Sequence, residues 1–544
     1  MGFSGVDIAI VFVYLIGVTL FGSWLGKHQK NTKDYFLGDR NLPWIAVSFS
    51  VVATETSTLT FISIPGLAYI SNLNFLQITL GYLLGRIFIS FVFLPAYYKG
   101  DIVTAYQFLG NRFGDKIRRF ASVIFQITRL LADGVRLFAT AIPLSVITGW
   151  SYPVSIAVIG ILTVIYTYLG GIKAVVWIDV IQMFIYLGGA IIAAVFIIHN
   201  LPEGWNDVVS IAGSADKFDV FRWGFEGGVK NFFSIDYTFL SGILGGAFLS
   251  MASHGTDQLI VQRLLSCRDL KQSQKALITS GVLVIAQFAL FLMVGVLLYA
   301  FYNGQAIGAG SGFIEKSDQL FPKFIIEALP SGLSGIIIAG VFAAAMSTMS
   351  GSLNSLASSV MHDIYKPLFG KNNSPAKDLF LSRLFTAIWG IIFIGGAMIF
   401  KDKDNPVVEL GLAIASFTYG GLLGAFLLGF IFKHVKENAA MYAMWGTIYF
   451  MTWIIGVQGM AQYVIIGLNI IAFIWLFFMT NERKDQIVLV TLLIIITSII
   501  QFLEPIDIAW PWYVILGCTL SLVLGLVFQA FLSPKRAFFR VRRR

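Results

Sequence analysis

The sequence predicts an all-α integral membrane protein of about fifteen membrane-crossing segments, in which two groups of five form inverted repeats between flanking helices. Three observations carry this expectation. The 544-residue chain is 57% hydrophobic and only 12% charged, too apolar for a soluble domain of its size. Apolar stretches able to cross a hydrocarbon core of roughly 30 Å recur from end to end between mostly short polar loops. The basic residues collect in alternate loops and at the tail, so the net charge of +9 reads as the positive-inside pattern and not as a nucleic-acid surface.

In chain order the segments lie near 6–26, 43–70, 75–97, 117–148, 153–172, 174–199, 235–263, 274–301, 334–361, 379–400, 407–432, 437–457, 460–479, 485–503 and 509–532. The first follows a short uncharged start with no small-residue cleavage site, so it reads as a retained span and not a signal peptide. Lys27, Lys30, Lys33 and Arg40 follow it; Lys99, Arg112, Lys116, Arg118 and Arg119 follow the third; Arg268, Lys271 and Lys275 follow the seventh. The tail residues Lys535, Arg536, Arg540, Arg542, Arg543 and Arg544 belong to the same side. This puts the N-terminus outside and the C-terminus in the cytoplasm, which requires an odd number of crossings. Cys267 and Cys518 lie far apart in sequence and support neither a disulfide framework nor a paired-cysteine metal site.

Five regions follow: a first span and cytoplasmic loop (1–42), a first five-helix repeat (43–199), an extracellular loop (200–234), a second, inverted repeat (235–432), and four C-terminal spans with the basic tail (433–544). The charge rule starts the two repeats on opposite sides of the membrane. Each is expected to open with an interrupted helix. In the first, Ser63-Ile64-Pro65-Gly66 follows the polar run Thr54-Glu55-Thr56-Ser57-Thr58; in the second, Gly242, Gly245, Gly246, Ser250, Ser253 and Gly255 disturb the apolar pattern. Paired interruptions point to a central binding site, because unwound backbone exposes carbonyls. The plainer alternative is close helix packing through small residues.

In the ninth segment, Ser347, Ser350, Gly351 and Asn354 fall three or four residues apart and share one helical face. Neutral hydroxyl and carbonyl oxygens suit a hard cation such as sodium. The competing reading has these hydroxyls bonding back to carbonyls of their own helix.

The sequence resembles the solute:sodium symporter family over roughly residues 30–435. The resemblance rests on Lys33-Asp34-Tyr35-Phe36-Leu37-Gly38, on Thr104-Ala105-Tyr106-Gln107-Phe108-Leu109 before Arg112-Phe113, on Tyr168-Leu169-Gly170-Gly171-Ile172 with Trp177-Ile178-Asp179-Val180-Ile181-Gln182, on Asp257-Gln258 before Gln262-Arg263, and on the segment from Phe342 to Ser355. It implies a leucine-transporter-like fold of five-plus-five inverted repeats and sodium-coupled import of a small organic solute. It implies a sodium site made by the carbonyls of Ala53, Thr56 and Ala344 and the hydroxyls of Ser347 and Thr348. Some members hold a second sodium, which here would use Asp179, Ser347 and Ser350, but Gly351 stands where those members have another serine.

Ionisable residues inside spans are costly and are usually paired or functional. Glu55, Arg86, Arg129, Asp133 and Arg136 are the further candidates; Asp133 and Arg136 share a helical face, and Glu55 is expected to pair with Arg86 or Arg136. Read structurally, they form a salt-bridge network. Read functionally, Arg86, Asp133 and Arg136 meet a charged or zwitterionic solute, with Ser57, Thr60, Ser250 and His254 as polar wall. His254 is the sole histidine within a span and has no ligand cluster beside it, which argues against an intramembrane metalloenzyme. A sensor or channel on the same scaffold is the other alternative to a carrier. The expected partners are a small solute and the lipid bilayer, with no nucleic acid and no obligate protein partner. The expected location is a bacterial cytoplasmic (inner) membrane.

Overall fold

A computed structural model describes residues 4–27, 29–225, 228–308, 312–399, 407–456, 460–480, 482–502 and 508–532; the basic tail singled out above lies outside them. Every expected segment carries helix. The main helices are α1 (Gly5–Leu25), α2 (Trp44–Glu55), α3 (Thr58–Ile70), α4 (Leu76–Lys99), α5 (Asp115–Thr148), α6 (Tyr152–Asn200), α7 (Gly246–Gly255), α8 (Gln258–Leu265), α9 (Leu270–Phe301) and α10 (Leu333–Ser359). They continue as α11 (Pro375–Ile399), α12 (Val407–Ile431), α13 (Glu437–Ile454), α14 (Met460–Met479), α15 (Arg483–Phe502) and α16 (Tyr513–Leu532). Seven helices among the described residues are long and apolar enough to cross a membrane, and the α2–α3 pair, bent by 65°, forms an eighth such span if counted as one. The outer loop expected at 200–234 holds two short helices, Trp205–Gly213 and Gly228–Ser234.

An outward-facing apolar surface replaces the polar skin of a soluble protein. On α1, Val6, Val13 and Leu20 stand seven residues apart and are 58%, 72% and 66% exposed, a stripe suited to lipid. On the opposite face of the same helix, Val11, Leu15 and Val18 are buried, and α1 packs along α6.

Both interruptions exist, but neither lies where Pro65-Gly66 or the glycine series alone suggest. The first falls at Thr56-Ser57, inside the polar run; Pro65 and Gly66 lie within α3, where the Pro65 carbonyl packs against Gly295 of α9. The second falls at Thr256-Asp257, beyond Gly255. The two are chemically alike. Thr56 and Thr256 each turn the hydroxyl back onto the carbonyl four residues earlier, Val52 at 2.9 Å and Ala252 at 2.8 Å. Each is followed by a residue that caps the next helix, Ser57 through the Thr60 amide and Asp257 through the Leu259 amide. The two helices thus break and restart with the same local devices.

The glycines ahead of the second break serve packing. A β-carbon at Gly81 would stand 2.4 Å from the Gly242 carbonyl oxygen, and one at Gly85 would stand 2.4 Å from that of Ala247. Here α4 meets the π-helical segment Ser241–Gly245 and α7 backbone to backbone. Gly171 performs another task. With φ 55° and ψ −154° it occupies a region essentially reserved for glycine and kinks the 49-residue α6 between the two segments expected at 153–172 and 174–199.

Candidate functional site

The break between α2 and α3 leaves carbonyls without their helical partners. Among the described residues, no backbone amide donates to the carbonyl of Ala53 or of Thr56. Both residues are fully buried, so these oxygens need another electropositive partner. The break is braced on two sides. Gln287 of α9 donates to the Thr56 hydroxyl and accepts from the Tyr186 hydroxyl at 3.2 Å, while the Thr58 hydroxyl donates to the Val341 carbonyl of α10 at 3.1 Å.

On α10 the hydroxyl-bearing face is buried throughout. Ser347 donates to Asp179 Oδ1 at 2.7 Å, Thr348 to the Ala344 carbonyl at 3.2 Å, and Ser350 to the Ser347 carbonyl at 3.0 Å. Thr348 and Ser350 therefore bond back along their own helix, whereas Ser347 reaches across to α6. A hydroxyl that has given its proton away keeps its lone pairs for a cation. The set expected for sodium thus consists of two amide-free carbonyls at a helix break, the Ala344 carbonyl and two hydroxyls with committed protons. This is neutral, hard oxygen and fits a sodium ion chemically. α10 packs against both α2 and α3.

Asp179, fully buried on α6, joins the same elements. Its Oδ2 accepts from Ser50 of α2 at 2.5 Å and from Arg263 Nη2 at 3.1 Å, while Oδ1 accepts from Ser347 of α10. Arg263, from the end of α8, is itself buried and gives Nε to the Ser50 hydroxyl at 2.9 Å and Nη1 to the Leu259 carbonyl at 2.7 Å. The sequence reading named Arg263 as a motif residue and gave it no charge partner.

The remaining charges form two groups rather than one network. Glu55 pairs with Arg86, the first of its two expected partners; Arg86 also donates to Ser280 at 2.8 Å, and His254 Nε2 lies 3.7 Å from Glu55. Separately, Arg136 donates to Asp133 at 3.0 Å, Arg129 lies 3.5 Å from the same oxygen, and Arg129 also binds Asp257 and Tyr419. Ser352 of α10 donates to the other oxygen of Asp133. The Asp257 cap of the second break is thereby wired to α5 and α10. Each group is internally neutral, the arrangement in which buried charge is tolerated.

A cavity lies beside the first break. Ser57 and Thr58 line it together with Asp133 and Arg136 of α5, Thr348 of α10 and Phe393 of α11; Leu137, Thr140, Ala345 and Met349 complete the wall. Of the expected pocket residues, Ser57, Asp133 and Arg136 are brought together here. Arg86, Ser250 and His254 are not part of this lining: Arg86 and His254 belong to the Glu55 group, and Ser250 is buried on α7 against Gly85. Thr60 faces its own helix cap, 3.4 Å from the Ser57 hydroxyl. The apolar liners Leu137, Met349 and Phe393 were invisible to the sequence reading because nothing separates them from lipid-facing or core residues until helices are placed.

The family model described as "SSF: Sodium:solute symporter family" matches residues 35–447. The chain is 30% identical over 446 residues to a sodium/sialic acid symporter of Proteus mirabilis, covering 81% of this chain and 87% of that one. It is 28% identical over 439 residues to sodium-coupled monocarboxylate transporter 2 of Mus musculus, covering 79% and 68%. The solved structure of a Na+-coupled sialic acid symporter, substrate-bound and outward-open, superposes with a TM-score of 0.76 at 26% identity, covering 97% of this chain and 98% of that one. The fold, the two helix breaks and these matches agree: the chain belongs to the sodium:solute symporter family, as a multi-pass, sodium-coupled carrier of a small solute and not an enzyme.

Proposed function

We propose that the chain imports a small anionic solute through the cavity beside the α2–α3 break, with sodium held by the carbonyls of Ala53, Thr56 and Ala344 and the hydroxyls of Ser347 and Thr348. The observation that carries this reading is the sharing of residues between the two places. Thr348 belongs to the sodium set and also lines the cavity, and Ser57 and Thr58 of the cavity wall follow directly on Thr56. Occupancy of one place therefore orders the wall of the other, which is the physical content of coupling.

Arg136 supports the anionic class. Its side chain is 21% exposed, against 3% for Asp133, so the cation is the more accessible partner of the pair in the cavity wall. Asp133 is already engaged by Ser352, Arg136 and Arg129. A solute carboxylate suits the fork of a guanidinium. Relatives named for sialic acid and for monocarboxylates fit the same chemistry. Sodium supplies positive charge among otherwise neutral oxygens, and the chain's own residues fix where it is felt: Gln287 and Tyr186 hold the Thr56 corner, and Asp179 clamps Ser50 of α2 to Ser347 of α10.

The proposal includes a bacterial cytoplasmic membrane, the N-terminus outside and the C-terminus inside, supported by the basic loops and by the bacterial relative. It also includes the division into two five-helix repeats at 43–199 and 235–432, supported by the matched helix breaks. The test is thermal stabilisation of purified protein by a panel of carboxylic acids and of neutral sugars, each with and without sodium. Sodium-dependent stabilisation confined to carboxylic acids is the expected result. Stabilisation by neutral sugars alone would contradict the anionic class.

A further inference from the structure

We infer that Gly351 seats the Arg263 guanidinium where a second sodium would stand, so that the chain carries a tethered cation there and moves a single sodium with each solute. The inference rests on the sodium-symport reading above and adds its stoichiometry. Asp179, Ser347 and Ser350 are the groups a second ion would use, and the question is what already satisfies them. Both carboxylate oxygens of Asp179 are engaged: Oδ1 by Ser347, and Oδ2 by Ser50 and Arg263. Ser350 donates along its own helix.

The guanidinium is not a passing neighbour. It is fixed at three points, on Asp179, Ser50 and the Leu259 carbonyl, and the residue is 1% exposed. Position 351 decides whether it fits. A β-carbon there would stand 2.5 Å from Arg263 Nη2 and 3.1 Å from Nη1, with Leu259 Cδ1 at 2.9 Å. Any residue other than glycine forces the guanidinium to shift, so the missing serine hydroxyl is the lesser consequence of this glycine. The greater one is that glycine opens the space in which Arg263 neutralises Asp179. A sodium ion added beside the guanidinium would leave net positive charge in a buried site with one carboxylate to offset it, an arrangement that buried charges do not tolerate.

The test is the number of sodium ions bound per chain, measured by equilibrium binding of radioactive sodium to the purified full-length protein, in wild type, Gly351→Ser and Arg263→Gln. One ion is expected in wild type. Two are expected in Gly351→Ser, where the new side chain displaces the guanidinium and adds an oxygen, and two in Arg263→Gln, which leaves Asp179 without its cation. To keep the count readable in a destabilised variant, each is also unfolded thermally across sodium concentrations. The steeper logarithmic dependence of a two-ion protein is then readable even from poorly stable material. Two ions in wild type would overturn the tethered-cation inference while leaving sodium coupling intact. One ion in both variants would also overturn it. No bound sodium in wild type would sink the symport reading itself.

Discussion

Replacing Ser347 and Thr348 by alanine, one at a time, separates sodium binding from the scaffold that supports it. The Thr348 hydroxyl bonds to the Ala344 carbonyl of its own helix at 3.2 Å, so its loss leaves the sodium-free fold nearly unchanged. Ser347 donates to the buried carboxylate of Asp179 at 2.7 Å, a bond to a charged group worth about 1.5–3 kcal/mol, so its loss also weakens the sodium-free protein. Each substitution removes one oxygen from the sodium set and leaves the ion less satisfied by about 1–3 kcal/mol, equivalent to a roughly 5- to 150-fold weaker affinity. The assay is thermal unfolding of purified protein as sodium is raised, which reports affinity through the rise in melting temperature and intrinsic stability through its sodium-free value. Both variants should shift the sodium half-point upward, and Ser347→Ala alone should lower the sodium-free melting temperature. An unchanged half-point in both variants would refute the site.

Arg136→Ala should abolish stabilisation by carboxylic acids while leaving sodium stabilisation in place; loss of both together would place Arg136 in the scaffold instead of the cavity. Asp133 and Arg136 stand 3.0 Å apart with Arg129 beside them, so Asp133→Asn and Arg136→Gln should each lower the melting temperature more than the paired replacement does. A double-mutant cycle reads this coupling directly, and strictly additive effects would dissolve the network. Gly171→Ala should destabilise by roughly 1–3 kcal/mol or more, because φ is 55° and the new carbon would stand 2.5 Å from the Tyr35 carbonyl oxygen. A wild-type melting temperature would show that α6 relaxes around the kink. Gly81→Ala should weaken the contact between α4 and the segment around Gly242 for the same steric reason, since that carbon would stand 2.4 Å from a backbone oxygen. Full retention of thermal stability would count against backbone-to-backbone packing there.

Hydropathy and charge made the helical segments legible, because lipid imposes a minimum apolar length on every crossing and leaves it in the sequence. The polar run Thr54-Glu55-Thr56-Ser57-Thr58 marked the first break correctly. Pro65-Gly66 misled because a proline inside a membrane helix need not break it: Pro65 lies within α3, whose backbone there packs closely on Gly295 of α9. The second break was displaced for a related reason: glycines at 242, 245 and 246 serve close approach to α4 and to Pro511, whereas the break itself needs the hydroxyl of Thr256 and the cap of Asp257. The pairing of Glu55 with Arg86 and of Asp133 with Arg136 was legible because the first had few possible partners and the second shares a helical face. Arg263 against Asp179 was not, since the two are 84 residues apart and only the folded chain shows that Gly351 makes room between them.

Whether a sodium gradient drives a monovalent anion through this protein is tested most directly in proteoliposomes loaded at controlled sodium and voltage. One sodium moving with one monovalent anion carries no net charge, so voltage adds nothing and a tenfold sodium gradient, about 1.4 kcal/mol, sets the limit. A neutral solute moving with one sodium would also use about 2.3 kcal/mol per 100 mV and reach roughly 500-fold. Carboxylate should accumulate to about the first power of the sodium ratio, the same at 0 and at −100 mV, and the accumulation should collapse when the sodium gradient is removed. Equilibration of the solute to equal concentrations despite a standing sodium gradient would contradict it.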